Sequence, residues 1–151
     1  MESSSSTPTR VLVVAHKTAG TRALQEAVRE RAERGPCAFT LLVPSAVHGL
    51  HRVVDPQDQG ANEAHQVLNE AVPALREAAF GMPVQGLVGD ADPVAAVQDA
   101  INLDGPFDEA IVSTLSARIS RWLRLDLPSK VAGMGLPVTT VTAKEEAKAT
   151  V

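Results

Sequence analysis

Five short apolar runs recur along the chain, separated by segments with helical spacing or helix-starting residues. This alternation constrains the fold more than any other feature. The runs are Val11-Leu12-Val13-Val14-Ala15, CAFTLLV at 37–43, PVQGLV at 83–88, FDEAIV at 107–112 and LPVTTVT at 136–142. Each is as long as a strand and too short for a buried helix. The first two are rich in Val and Leu on consecutive positions, as strands buried on both faces are.

The segments between them read as helices. One runs from Gly20-Thr21 to about Arg34, with Leu24, Ala27, Val28 and Ala32 on one face, and Gly35-Pro36 stops it. A second runs from about Asn62 to Phe80, where Ala64, Leu68, Ala71, Val72, Leu75 and Ala79 keep the helical period. Pro73 is expected to kink or split it. Asp92-Pro93 opens a third helix as N-cap and first-turn residue, with Val94, Val97 and Ile101 inward. A fourth helical segment covers 116–132. Pro83 and Gly86 weaken the third strand and suit it to a sheet edge.

Strict β-α alternation argues a parallel sheet with right-handed crossovers and helices on both faces: a doubly wound α/β domain, Rossmann-like. Ligands of such sheets bind beyond the carboxyl ends of the strands. The expected organisation is a disordered Ser-rich tail at 1–9, one domain at 10–143 and a charged tail at 144–151.

Composition removes several functions. The net charge of −4 provides no general basic footprint for nucleic acid, and aromatic content of 3% leaves few stacking platforms. A single cysteine, Cys37, allows neither an intrachain disulfide nor a cysteine-rich zinc site. No run approaches the roughly 18 apolar residues of a membrane span. With no secretory signal in the first ten residues, the expected location is the cytoplasm.

The motifs present are as informative as those missing. GDADPVAAVQDA at 89–100, FDEAIVST at 107–114 and GLPVTTV at 135–141, together with the opening VLVVA strand, resemble the universal stress protein family in order and spacing. The resemblance covers about residues 10 to 142. It implies a five-stranded sheet in the order 3-2-1-4-5 and a homodimer along the fifth strand, through Val138, Thr139, Thr140 and Val141. That edge would otherwise be an unpaired liability.

Some members of that family bind ATP through a Gly-x2-Gly-x9-Gly-Ser/Thr loop after the fourth strand. By resemblance the glycines fall at Ser113, Ser116 and Asp126, the hydroxyl at Leu127, and the family's acidic nucleoside contact at His16. None of these five positions keeps the family's residue type. Glycine lets backbone N–H groups approach phosphate closely, and Asp126 sets a carboxylate where phosphate charge would sit. Two unit charges about 4 Å apart at an effective dielectric near 20 interact by about 4 kcal/mol. Asp126-Leu127-Pro128 also reads simply as the start of a short helix, with Asp126 near the cap and Pro128 in the first turn, running through Ser129 to Val131 and ending at Gly133 or Gly135.

The candidate ligand residues are therefore His16, Lys17 and Thr18 in the first loop, Val43 and Gly89 at the ends of the second and third strands, and Ser113, Thr114, Ser116, Arg118 and Ser120 after the fourth. Arg118, Arg121 and Arg124 fit a solvated helix face better than an anion cradle, and Trp122 a packing role. His48, His51, Asp55 and Asp58 lie in a long loop and suit a polar lid better than a metal site. His65 is expected on a helix surface. No metal ligand set and no catalytic residue is assigned, and Gly-x-Ser-x-Gly, P-loop and Gly-x-Gly-x-x-Gly patterns are missing. Three functions compete: a non-enzymatic, homodimeric regulatory protein with an altered nucleotide pocket, an ATP or AMP binder using serines for glycines, and an interaction module with a filled cleft.

Overall fold

The structure is a computed structural model that describes residues 8–16, 18–45, 59–90, 92–115 and 126–143. Five strands alternate with helices: β1 (Thr9–Val14), α1 (Arg22–Glu33), β2 (Cys37–Pro44), α2 (Gln59–Ala78), β3 (Val84–Gly89), α3 (Pro93–Asp104), β4 (Glu109–Leu115), α4 (Leu127–Ala132) and β5 (Val138–Ala143). All strand pairs are parallel, in the order β3-β2-β1-β4-β5. The doubly wound reading of the sequence holds, and β3 lies at an edge.

Strand alternation splits the core in two. Val11 and Val13, with Phe39, Leu41, Val43 and Ile111, meet Leu24 and Val28 of α1 and Leu68 and Leu75 of α2 on one face. Leu12 and Val14, with Leu42 and Val112, meet Ala96, Val97 and Ala100 of α3 and Leu127 and Val131 of α4 on the other. Both layers bury β1 completely from Val11 to Val14, which is why that run has no polar alternation.

The structure qualifies three local expectations. Of the kink or split expected at Pro73, the split does not occur, and α2 runs through it. Pro73 is solvent-exposed, so water can satisfy the carbonyl that loses its helical donor. Second, Arg31 joins Leu24, Val28 and Ala32 on the buried face of α1, whereas Ala27 is half-buried. Third, Asp126 takes the N-cap position of α4, as the sequence implied, but makes no side-chain cap. Its backbone is left-handed, with φ 59° and ψ 41°, whereas an N-cap side chain reaches the helix from extended backbone. Asp92 shows the working form: φ −80°, ψ 113°, Oδ1 accepting from Val94 N at 3.0 Å.

The charged ties gather at the amino ends of the strands. Arg31 Nε donates to Glu109 Oε2 at 3.0 Å. Arg10 stacks over Phe107 at 4.8 Å, and its guanidinium donates to the carbonyls of Asp104 and Pro106. Arg76 donates to the Val84 carbonyl at 2.8 Å. No described helix is long and apolar enough to cross a membrane.

Candidate functional site

The strand order reverses between β1 and β4, so their carboxyl ends part and leave the crevice where such sheets take ligands. Val14 pairs with Val112 as the last residue of the β1–β4 ladder. Beyond it, Ala15 turns to β2, its N–H donating to Leu42 O at 3.1 Å, while Ser113 and Thr114 continue beside β5, opposite Val141 and Thr142. The crevice is thus bounded by the β1–α1 loop and the last turn of β4.

The loop is built by its own hydrogen bonds. Ala19 N–H donates to His16 O and Thr21 N–H to Thr18 O, each at 3.1 Å. Thr21 then caps α1: its hydroxyl donates to Thr18 O at 2.8 Å and accepts from Leu24 N at 3.3 Å. This winding folds Thr18 inward, where it is 2% exposed. Its hydroxyl meets β4 twice, 3.1 Å from Ser113 O and 2.7 Å from Ser113 Oγ.

Ser113 and Thr114 face opposite sides of the sheet. Ser113, 1% exposed, lies on the α1 side against Thr18. Thr114, 2% exposed, lies on the α3–α4 side, and its Oγ1 has no hydrogen-bond partner among the described residues. A buried hydroxyl left unpaired costs about 1–3 kcal/mol.

The other candidates spread along the strand ends. His16 is half-buried in the first loop. Val43 is fully buried beneath α1 and α2, so its side chain serves the core. Gly89 ends β3 where α3 passes closely: a Cβ there would stand 2.7 Å from Ala96 Cβ and 3.0 Å from Leu42 Cδ1. Asp126 is exposed at the start of α4. Its left-handed backbone is the conformation glycine adopts most readily, and Asp is one of the few other residues that tolerates it.

Lys17, Ser116, Arg118 and Ser120 lie outside the described residues, as do Arg121, Trp122 and Arg124, and the His48, His51, Asp55 and Asp58 cluster. Among the described residues no three His, Cys, Asp or Glu side chains gather as metal ligands would. His65 is exposed on α2. Cys37 is buried, its thiol 3.5 Å from Met82 Sδ. Burial pushes that thiol's pKa up, Glu109 adds to the rise, and Arg31 opposes it.

Sequence reasoning missed the Thr18–Ser113 pairing and the Arg31–Glu109 ion pair. The second had a readable signal. Arg31 falls seven residues after Leu24 on the apolar face of its helix, and Glu109 interrupts an apolar strand. Two opposite charges in such places call for each other.

Comparison with solved structures places this fold among universal stress proteins. A universal stress protein from Archaeoglobus fulgidus matches with a TM-score of 0.61 and 16% identity, over 88% of this chain and 93% of that one. A universal stress protein from the same organism in complex with dAMP matches at 0.59 and 18% identity, over 89% and 98%. A universal stress protein in complex with cAMP matches at 0.55 and 15% identity, over 87% and 95%. No family profile and no curated protein matches the sequence.

Proposed function

We propose that this chain is a non-enzymatic regulatory protein of the universal stress type, which takes an adenine mononucleotide in an altered pocket between the ends of β1 and β4. The observation that carries the reading is Thr114: a buried hydroxyl with no partner among the described residues, at the crevice the topology reserves for ligands. A polar ligand atom there would recover the cost of its burial. The dAMP and cAMP complexes of proteins with this fold support the ligand class.

The alteration lies in the phosphate grip. Asp126 keeps the backbone turn of a glycine but adds a carboxylate, which disfavours ATP, with its greater charge, more than AMP or cAMP. The non-enzymatic part of the reading is supported by the serine at the crevice. Ser113 Oγ is held by another hydroxyl, not by an imidazole or carboxylate that would activate it. The partner in this reading is a second copy joined along β5, where Thr139, Thr140 and Thr142 are exposed and, among the described residues, no further strand pairs with the edge. A monomer by light scattering at tens of micromolar would remove the dimer.

The test is a calorimetric titration with AMP, cAMP and ATP, with and without magnesium. The reading expects AMP or cAMP to bind and ATP to bind more weakly. Tighter binding of ATP would favour a serine-based triphosphate loop. No heat at millimolar concentration with any of the three would remove the nucleotide.

A further inference from the structure

The two contacts between Thr18 and Ser113 can both be hydrogen bonds in only one arrangement of the hydroxyl protons. Each hydroxyl has one proton to give. Thr18 Oγ1 reaches the Ser113 carbonyl at 3.1 Å, and that oxygen can only accept, so Thr18 is the donor there. The 2.7 Å contact between the two hydroxyls must then run from Ser113 Oγ to Thr18 Oγ1. Both donors are spent inside the protein. A phosphate or ribose oxygen arriving at this side of the crevice finds no proton to accept unless the pair first opens.

The pair also carries load. The Thr18 carbonyl accepts from both the N–H and the hydroxyl of Thr21, and Thr21 caps α1. A chain of hydrogen bonds thus runs from the end of β4 through the loop to the start of a helix that packs against β5.

We propose that the Thr18–Ser113 hydroxyl pair is a latch, tying the β1–α1 loop to β4 and holding the crevice shut until a ligand's polar oxygen replaces the bond. This rests on the crevice being the ligand site and adds the gate to it. The bond is worth about 1 kcal/mol net, which corresponds to about fivefold in the loop's opening equilibrium.

Amide hydrogen exchange tests it directly. In Thr18→Val, which keeps the shape and removes the hydroxyl, exchange at the Ala19 and Thr21 amides should accelerate about fivefold. The interior of α1, at Val28, should be unchanged. Thr18→Ser should restore the wild-type rate. AMP should bind Thr18→Val about fivefold more tightly, because opening no longer competes with binding. Unchanged exchange at Ala19 and Thr21 overturns the latch, and so does equal AMP affinity in wild type and variant. Accelerated exchange with Ser rescue, but no AMP binding to any form, keeps the tie and overturns the nucleotide reading instead. A variant whose Val28 amide also speeds up has loosened globally. Thr18→Ala, which also removes both bonds to Ser113, then serves as the second probe, with the same acceleration expected and its absence counting against the latch.

Discussion

Gly89→Ala should destabilise the protein through a contact that can be relieved elsewhere. The added Cβ would meet Ala96 Cβ at 2.7 Å and Leu42 Cδ1 at 3.0 Å. Leu42 can rotate its terminal methyl, but the Cβ of Ala96 is fixed to the backbone of α3. Overpacking of this kind costs about 1–3 kcal/mol. Against it stands a gain of about 0.4–1 kcal/mol from a stiffer unfolded chain. The net loss is about 1 to 2 kcal/mol, or about 3 to 6 °C in Tm for a chain of this size. Ala96→Gly alone should cost about 1 kcal/mol as a helix-interior glycine. The double variant should then be more stable than Gly89→Ala alone or nearly equal to it, with a coupling of about 2 kcal/mol in urea unfolding. Gly89→Ala as stable as wild type, or two additive losses, would refute the claim that α3 is seated against the end of β3 by this contact.

Three further outcomes follow from other parts of the fold. Glu109→Ala leaves Arg31 inside the sheet's amino end without its partner. It should cost about 2 kcal/mol, between the exposed and buried limits, measured by chemical denaturation. The Cys37 thiol is raised by burial, so the fold favours its neutral form. That contribution is complete below the ordinary thiol pKa, near 8.5, and is lost as pH rises from there through the raised value. The urea midpoint should fall more steeply in wild type than in Cys37→Ala across that alkaline range. Asp126→Gly relieves a left-handed non-glycine backbone and removes a carboxylate. Stability should hold or rise by up to about 1 kcal/mol, and ATP affinity by calorimetry should increase. Unchanged ATP affinity would place Asp126 away from the phosphate.

Most of the fold was legible because local signals agreed with the global arrangement. VLVVA could only be a doubly buried strand, and Asp92-Pro93 could only start a helix without strain. The split expected at Pro73 does not occur because a proline's local cost depends on its exposure. On the solvent side of α2 the orphaned carbonyl has water. Asp126 stands at the cap position that its residue type suggested, but its side chain does not close the cap because the backbone there is left-handed, and dihedral angles are not written in composition. The site was legible as a place, the ends of β1 and β4, but not as a set of bonds. Thr18 and Ser113 stand 95 residues apart, and nothing local to either shows that their hydroxyls meet.

The most direct test of the account is to map AMP onto the protein by backbone and methyl NMR shifts during a titration. The account predicts saturable changes centred on Ala15–Thr18 and on Ser113 and Thr114, including the Thr114 methyl, with the strands' amino ends at Arg10 and Arg31 unmoved. Changes centred elsewhere, or none at millimolar AMP, would contradict a ligand site in this crevice.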